Sequence, residues 1–212
     1  MIYIFYTQTD KKINNHTFSY YYKNIPSVLQ NKILKYRYWE DAQRSLLGKA
    51  LLIHGLKSIG LVQYILKDLK FSKFEKPYFD DSIDFNISHS GEFVICAISL
   101  EGNIGVDIEE IKPILFTELK MFFSPKECNE IKRSADSTIS FYRYWTQKEA
   151  FLKAIGMGLN IPINEAEIFN DKIKWNNKEW LLKELKLHTK YIAHLSCNIP
   201  KPELVIEEIN FN

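Results

Sequence analysis

FYRYWTQKEAFLKAIGMGL, residues 141–159, is the most strongly patterned stretch of this 212-residue chain. Its apolar residues, Trp145 among them, recur every three or four positions, which predicts an amphipathic helix packed on a core. Gly156 then ends the predicted helix. Lys148 falls within the apolar side of this helix, where a lysine can still extend its ammonium to solvent. Glu149 and Lys153 lie one turn apart at the edge, and an exposed pair of this kind contributes only about 0.3 kcal/mol.

The composition is that of an ordinary globular protein, with 46% apolar and 25% charged residues. Because 28 Lys and Arg residues face 26 Asp and Glu residues, the net charge of +2 does not favour nucleic acid or a membrane as partner. The first ten residues, MIYIFYTQTD, lack the features of a signal peptide and predict a strand. Odd in number and widely spaced, the cysteines indicate reduced core thiols in a cytoplasmic protein: Cys96, Cys128 and Cys197.

Two helices are predicted in the first third of the chain. Residues 25–39 form a short helix that opens after Pro26 and Ser27, with Trp39 packed inward, and residues 40–58 form a long one. Five basic residues gather on these helices, where they would either bind a phosphorylated ligand or keep a helical face solvated: Lys32, Lys35, Arg37, Arg44 and Lys49.

The middle of the chain predicts a hairpin or extended loop within residues 59–85, followed by strands at Phe93–Ser99 and Ile104–Ile108. A boundary near Gly102 divides the chain into halves, residues 1–102 and 103–212. Residues 88–91, SHSG, predict a turn that presents donors to an anion, although a single histidine is more often structural. Residues 160–212 read as strands of a second sheet, with Trp175 and Trp180 in its core.

The strand GVDIE carries two carboxylates on one face. Asp107 and Glu109 are two residues apart and therefore about 7 Å apart along the strand. Such a pair is either solvated or shares a cation, and all-oxygen ligands favour Mg²⁺. Further along, Ser124, Pro125 and Glu127 have the spacing of a helix start with a capping box.

Three motifs stand in a fixed order: FNISHSG at 85–91, IGVDIE at 104–109 and WTQKEAFLKAIGMGL at 145–159. This order resembles the 4′-phosphopantetheinyl transferases of the surfactin-synthetase-activating type, within the holo-carrier-protein synthase superfamily. The likeness includes WEDAQRSLLGKALL at 39–52 and EKPYF at 75–79, and so covers residues 25–160.

The resemblance implies an α+β fold: a monomer of two similar halves related by a pseudo-two-fold axis, with coenzyme A bound between them. It implies Mg²⁺, with Mn²⁺ as the other candidate ion, on Asp107, Glu109 and Glu149. The positions that match phosphate contacts are Lys32, Lys76, Ser88, His89 and Lys153, and those near the adenine and 3′-phosphate are Arg44 and Ser45. One departure is Leu29, which stands where the family often has a basic residue.

The implied reaction transfers 4′-phosphopantetheine from coenzyme A to a serine of an apo acyl or peptidyl carrier protein and releases 3′,5′-ADP. Glu149 is the candidate base, Lys153 the stabiliser of the leaving group and His89 a phosphate ligand. A carrier could dock on the segment 110–140, whose apolar residues otherwise pack in a core: Phe116, Met121, Phe122 and Phe123. The alternatives are a non-catalytic coenzyme A-binding regulator of a synthase and another Mg²⁺-dependent phosphoryl transferase or phosphodiesterase. A nucleic-acid-binding module is the weakest of the alternatives.

Overall fold

The computed structural model describes residues 1–114 and 121–211. The helices are α1 (Asn15–Lys23), α2 (Ser27–Leu34), α3 (Trp39–Ser58), α4 (Pro125–Arg133) and α5 (Ser137–Ile155). The strands are β1 (Ile2–Gln8), β2 (Lys70–Phe71), β3 (Pro77–Tyr78), β4 (Asp84–Ser90), β5 (Phe93–Ser99), β6 (Ile104–Glu110), β7 (Ile168–Phe169), β8 (Lys172–Trp175), β9 (Lys178–Glu184), β10 (Tyr191–Cys197) and β11 (Leu204–Glu208). The protein therefore has the predicted α+β fold.

The first sheet has the strand order β11-β1-β5-β4, and every residue of β5 is buried. Strand β5 is buried because other elements pack against both faces of the sheet at this strand. On one face, Val94 and Cys96 pack in a core with Leu47 and Leu51 of α3. The alternate residues of β1 and β5 point the other way and meet strands of the second sheet. A strand covered on both faces has apolar residues at successive positions, as the sequence of β5 predicts.

The second sheet has the order β6-β10-β9-β8-β7, and α5 packs across β6 and β10. The two main chains come very close at Gly105. A Cβ atom at this position would lie 2.1 Å from the carbonyl oxygen of Ala150 and 2.3 Å from the amide nitrogen of Ala154. The sequence GVDIE thus needs its glycine for contact with α5.

Side chains of β4 connect the two sheets. Oδ2 of Asp84 accepts a hydrogen bond of 2.8 Å from the amide of Ile104, and Oδ1 of Asn86 accepts one of 3.0 Å from the amide of Val106. Strand β6 therefore lies beside β4, although its backbone ladder is with β10. This junction brings the ends of the two strands to one place.

Several sequence predictions are confirmed. The first strand is β1, the two predicted N-terminal helices are α2 and α3, and residues 70–78 form the small β2–β3 hairpin. Helix α5 ends at Gly156, which has the left-handed φ of 68° that favours glycine at this position. The predicted capping box of Ser124 and Glu127 is present, with Pro125 in the first turn of α4.

Other predictions are wrong. Trp39 is 41% exposed because it is the first residue of α3 and lies outside the core. Residues 88–90 belong to β4 rather than to a turn. The last strand, β11, pairs in parallel with β1 and so belongs to the first sheet, because β1 offers a free edge on that side. Helix α1, capped by Asn14, was not predicted.

Lys148 does not extend to solvent. It is fully buried, and its Nζ lies 2.8 Å from Glu127 Oε2 and 2.9 Å from the carbonyl oxygen of Ile163. The Glu127 carboxylate also accepts hydrogen bonds from the amides of Ser124 and Ile168. A buried ion pair is tolerated when further hydrogen bonds satisfy both charges, as here. The pair ties α4 to α5 and fixes the position of the residue after Lys148.

Within residues 1–114 and 121–211, no helix is both long and apolar enough to cross a membrane.

His194 makes folding stability depend on pH. It is buried in β10, 2.7 Å from Thr146 Oγ1 of α5, and burial, aided by the charge of Arg143, lowers its pKa from 6.5 to about 3. Between these values the unfolded chain binds a proton that the folded chain does not, so stability falls as pH falls. We expect this group to remove about 2 kcal/mol between pH 7 and pH 5.

The measurement is urea unfolding at both pH values. His194→Gln, which stays neutral, should lose about 2 kcal/mol less than the wild type on acidification. The matched control is exposed His16→Gln, which should keep the wild-type difference. Equal pH profiles for the wild type and His194→Gln would contradict the prediction.

Candidate active site

Strands β4 and β6 and helix α5 line one open cavity of about 290 Å³. Asp107 and Glu109 reach it because they alternate along β6 with Val106 and Ile108, whose side chains pack on the opposite face in the core. Helix α5 contributes three side chains spaced by four residues, which therefore share one side of the helix: Trp145, Glu149 and Lys153. The remaining lining residues come from β4, namely Ile87, Ser88 and His89. The structure thus brings together most of the side chains that the motifs predicted.

Asp107 is at the centre of this site and is 3% exposed. Its Oδ1 lies 2.6 Å from Lys153 Nζ and accepts a hydrogen bond of 2.9 Å from Ser88 Oγ. Lys153 Nζ also donates to Ser88 Oγ at 2.9 Å. Lys153 therefore forms its ion pair across to β6 rather than along its own helix. Among the described residues, Oδ2 of Asp107 is buried without a hydrogen-bond partner.

The other two carboxylates carry raised pKa values. Burial is the main cause for Glu109, and the charge of Asp107 adds to it, while hydrogen bonds from Ser90 and Trp145 and the charge of Lys153 oppose it. Burial is also the main cause for Glu149; Lys153 opposes it, whereas Asp107 and Glu109 add to it. Excess negative charge is therefore concentrated here, which a bound cation would relieve.

Three cations are close enough to His89 for their charges to act on it. The pKa of His89 is lowered, first by removal from water and then by the charges of Arg44, Lys153 and Lys49. Lys49 donates to Ser45 Oγ at 3.0 Å, and its own pKa is lowered to about 8 by burial and by the charge of Lys32. Such a cluster of positive charge is suited to an anionic ligand.

Arg44 is held in place by two partners. Its guanidinium donates to the carbonyl oxygen of Gly91 and to Asp41 Oδ1, both at 2.7 Å. Leu29, where the resemblance implied that a basic residue is common, is partly buried and packs against the core cluster that includes residues of α3. Of the three cations whose charges act on His89, Arg44 and Lys49 lie on α3 and Lys153 lies on α5.

Lys76 does not line this cavity. Its Nζ lies 2.7 Å from Asp84 Oδ2 and 3.2 Å from the carbonyl oxygen of Ala154, at the junction of the two sheets. Its side chain also packs beneath Gly156. In this structure Lys76 joins β4 to the end of α5, and it borders a different cavity of about 330 Å³.

Sequence reasoning missed two residues of the site. Trp145 was assigned to the core and does pack against the cluster of Phe123, but it also lines the cavity, where its indole opposes the rise in the pKa of Glu109. The signal that could have found it is its spacing of four residues from Glu149. Ser90 was grouped with a turn, but its hydroxyl donates to Glu109 Oε2 at 2.7 Å. Because side chains alternate along a strand, Ser90 could have been predicted to lie on the same face of β4 as Ser88.

The predicted docking segment is only partly described. Phe116 lies outside the described residues. Phe123 is 2% exposed and packs with α4 and α5, as the core alternative predicted, whereas Met121 is 67% exposed. Phe122 is partly buried and contacts Trp145 edge to face.

The carboxylates of the cavity suit a hard cation that takes its remaining ligands from bound phosphate groups. Three carboxylates share the cavity, and one carboxylate oxygen of Asp107 has no partner among the described residues. In residues 1–114 and 121–211, no group of three or more His, Cys, Asp or Glu side chains is arranged so that it could hold a metal ion. Mg²⁺ is commonly held by one or two carboxylates together with substrate phosphates rather than by protein ligands alone.

Comparison with known proteins agrees with these features. Residues 103–205 match the 4′-phosphopantetheinyl transferase superfamily, and residues 12–101 match the 4′-phosphopantetheinyl transferase N-terminal family. The chain is 37% identical over 168 residues to the 4′-phosphopantetheinyl transferase gsp of Aneurinibacillus migulanus, which covers 77% of this chain and 70% of that protein.

Two other relatives have the same description. The chain is 39% identical to the 4′-phosphopantetheinyl transferase Sfp of Bacillus subtilis (strain 168) over 66% of this chain and 63% of that protein. It is 40% identical to the 4′-phosphopantetheinyl transferase HetI of Nostoc sp. (strain PCC 7120 / SAG 25.82 / UTEX 2576) over 40% of this chain and 37% of that protein. The protein therefore belongs to the 4′-phosphopantetheinyl transferase family of enzymes, and to its surfactin-synthetase-activating type.

Proposed function

We propose that this protein, as a cytoplasmic monomer, transfers the 4′-phosphopantetheine group of coenzyme A to a serine of an apo acyl or peptidyl carrier protein in the presence of Mg²⁺, and releases 3′,5′-ADP. The proposal is based mainly on two neighbouring clusters of side chains, one acidic and one basic. Asp107, Glu109 and Glu149 share a cavity with His89 and Lys153, and the positive charges of Arg44 and Lys49 also act on His89. A magnesium pyrophosphate needs both.

The ion would be held by Asp107, through its unpartnered Oδ2, together with Glu109 and Glu149. Bound Mg²⁺ supplies charge neutralisation on the pyrophosphate, which lowers the barrier to attack at phosphorus. Lys153, already in the cavity beside Asp107, would contact the same phosphates. Its fixed positive charge would stabilise the negative charge that passes to the leaving group.

The nucleotide end of coenzyme A would lie along the cations of α2 and α3. His89 and Ser88 would contact the pyrophosphate, and Arg44, Ser45 and Lys32 the adenosine and its 3′-phosphate. Lys49 joins this set because its charge acts on His89 and its ammonium lies 3.0 Å from Ser45 Oγ. Lys76, held by Asp84, would contribute its charge from the sheet junction.

The proposed reaction requires the loss of one proton. The serine oxygen of the carrier bonds to the phosphorus that bears the pantetheine arm, and the bond from that phosphorus to the bridging oxygen of 3′,5′-ADP breaks. Glu149 would accept the proton of the serine hydroxyl. Its raised pKa brings its basicity closer to what a general base needs near neutral pH.

The function is tested by incubating the protein with coenzyme A, Mg²⁺ and several apo carrier proteins and by measuring the intact mass of each carrier. We expect a gain of one phosphopantetheinyl group on at least one carrier, and none when the carrier serine is replaced by alanine. Coenzyme A binding without a mass gain on any carrier would favour the non-catalytic regulator instead.

Glu149→Gln tests the base. The amide keeps the shape of the side chain but accepts no proton, so we expect turnover to fall by about 10²- to 10⁴-fold, the usual contribution of a general base. Coenzyme A binding in the presence of Mg²⁺ is measured in parallel to show that the site still forms. Exposed Glu165→Gln is the control and should keep wild-type turnover. Near-normal turnover of Glu149→Gln with metal bound would remove Glu149 from this role.

The lowered pKa of Lys49 predicts that the affinity for coenzyme A depends on pH. Because its pKa is lowered to about 8, its positive charge is lost as pH rises from 7 to 9. We expect the affinity for coenzyme A to fall by up to about tenfold over this range, as the protonated fraction does. Calorimetric titration of the protein with coenzyme A, without a carrier, gives the measurement.

Lys49→Arg should bind coenzyme A with little change over the same range, because a guanidinium keeps its charge. The matched control is Lys57→Arg, an exposed position on the same helix, which should behave as the wild type. An affinity that falls equally in Lys49→Arg and in the wild type would show that another group causes the dependence.

A further inference from the structure

Alternate side chains of β4 face β6, and their hydrogen bonds are of two kinds. Asp84 and Asn86 accept from the amides of Ile104 and Val106 at 2.8 and 3.0 Å. These two bonds end on the main chain of β6, so they hold the strand in place. They do not orient any side chain that β6 carries into the cavity.

Ser88 and Ser90, the next two members of the series, reach the carboxylates themselves. Ser88 Oγ donates to Asp107 Oδ1 at 2.9 Å, and Ser90 Oγ donates to Glu109 Oε2 at 2.7 Å. In both strands every second side chain points to the same face, so Ser88 and Ser90 of β4 pair with Asp107 and Glu109 of β6, respectively. Asp107 has a second support in Lys153.

Ser90 is itself fixed. Its oxygen accepts a hydrogen bond of 3.1 Å from the amide of Glu110. A hydroxyl has one proton, and with the amide at its oxygen this proton points to the carboxylate of Glu109. The glutamate is thus bound to an atom that is anchored to the main chain one residue further along the same strand.

This anchor matters because glutamate has a flexible side chain whose ordering costs free energy. Glu109 also lies beside Asp107, whose charge repels its own. Without Ser90, no donor from β4 would hold this carboxylate, and it would be able to turn away from Asp107 toward solvent. Groups that hydrogen-bond a metal ligand typically contribute about 10- to 100-fold to metal affinity.

We propose that Ser90 is a positioning residue that holds the carboxylate of Glu109 toward the ion shared with Asp107 and Glu149. The inference rests on the proposed function, because the ion belongs to that reaction. Ser90 acts through Glu109 and touches neither the substrate nor the reacting atoms.

The test compares Ser90→Thr with Ser90→Val. These side chains have nearly the same shape and suit a strand equally, but only threonine keeps the hydroxyl. Mn²⁺ binding is measured by electron paramagnetic resonance with coenzyme A present and no carrier, so that no turnover occurs. We expect Ser90→Val to bind Mn²⁺ about 10-fold more weakly or worse, and Ser90→Thr to stay close to the wild type.

Asn86→Ala is the matched control at the same junction. It removes one hydrogen bond to the main chain of β6 but touches no carboxylate. It should lower the melting temperature and leave Mn²⁺ affinity within about twofold of the wild type, whereas Ser90→Val should change the affinity. In steady-state assays, Ser90→Val should raise the KM for Mg²⁺ more than it lowers kcat at saturating Mg²⁺.

Failure of this inference can be distinguished from failure of the proposed function. If the wild type binds Mn²⁺ in the presence of coenzyme A and Ser90→Val binds it equally well, the positioning role is overturned and the function stands. If Ser90→Thr loses as much affinity as Ser90→Val, the hydroxyl is not the cause and the inference is also overturned. A wild type that binds no Mn²⁺ with coenzyme A contradicts the proposed function itself.

Discussion

The site depends on the contact between β6 and α5 at Gly105. A side chain there would collide with the main chain of the helix, at 2.1 Å from the carbonyl oxygen of Ala150. With no side chain between them, strand and helix are close enough for Lys153 Nζ to lie 2.6 Å from Asp107 Oδ1. A larger residue would push α5 outward and move Glu149 and Lys153 away from the carboxylates of β6. The cavity exists because these two main chains touch.

The same contact places unlike charges side by side. Glu109 and Glu149 in the cavity have raised pKa values, whereas His89, which lines the same cavity, and Lys49, whose charge acts on His89, have lowered ones. Each group is therefore less easily charged than it would be in water. Stability alone does not favour such an arrangement, and perturbed groups in a cleft are typical of functional sites. The two regions complement a cation and the phosphates that share it.

Much of the fold could be predicted from local patterns. The alternation of GVDIE places Asp107 and Glu109 on one face, and helical spacing with a terminal glycine defines α5. The capping box from Ser124 to Glu127 predicts the start of α4 from only four residues of sequence. These predictions succeed because backbone periodicity and end-capping act over a few neighbouring residues, so the sequence contains all the partners concerned.

The sequence alone therefore determined most of the strands and helices, the shared face of Asp107 and Glu109, and the spacing that puts Glu149 and Lys153 one turn apart on α5. Only the tertiary structure decided that Lys76 joins Asp84 at the sheet junction, that Trp145 turns to Glu109, that Ser90 holds the same carboxylate and that β11 joins the first sheet. The physical reason is that a periodic pattern fixes which residues share a face. Which other face lies against it depends on packing between segments that are far apart in the chain.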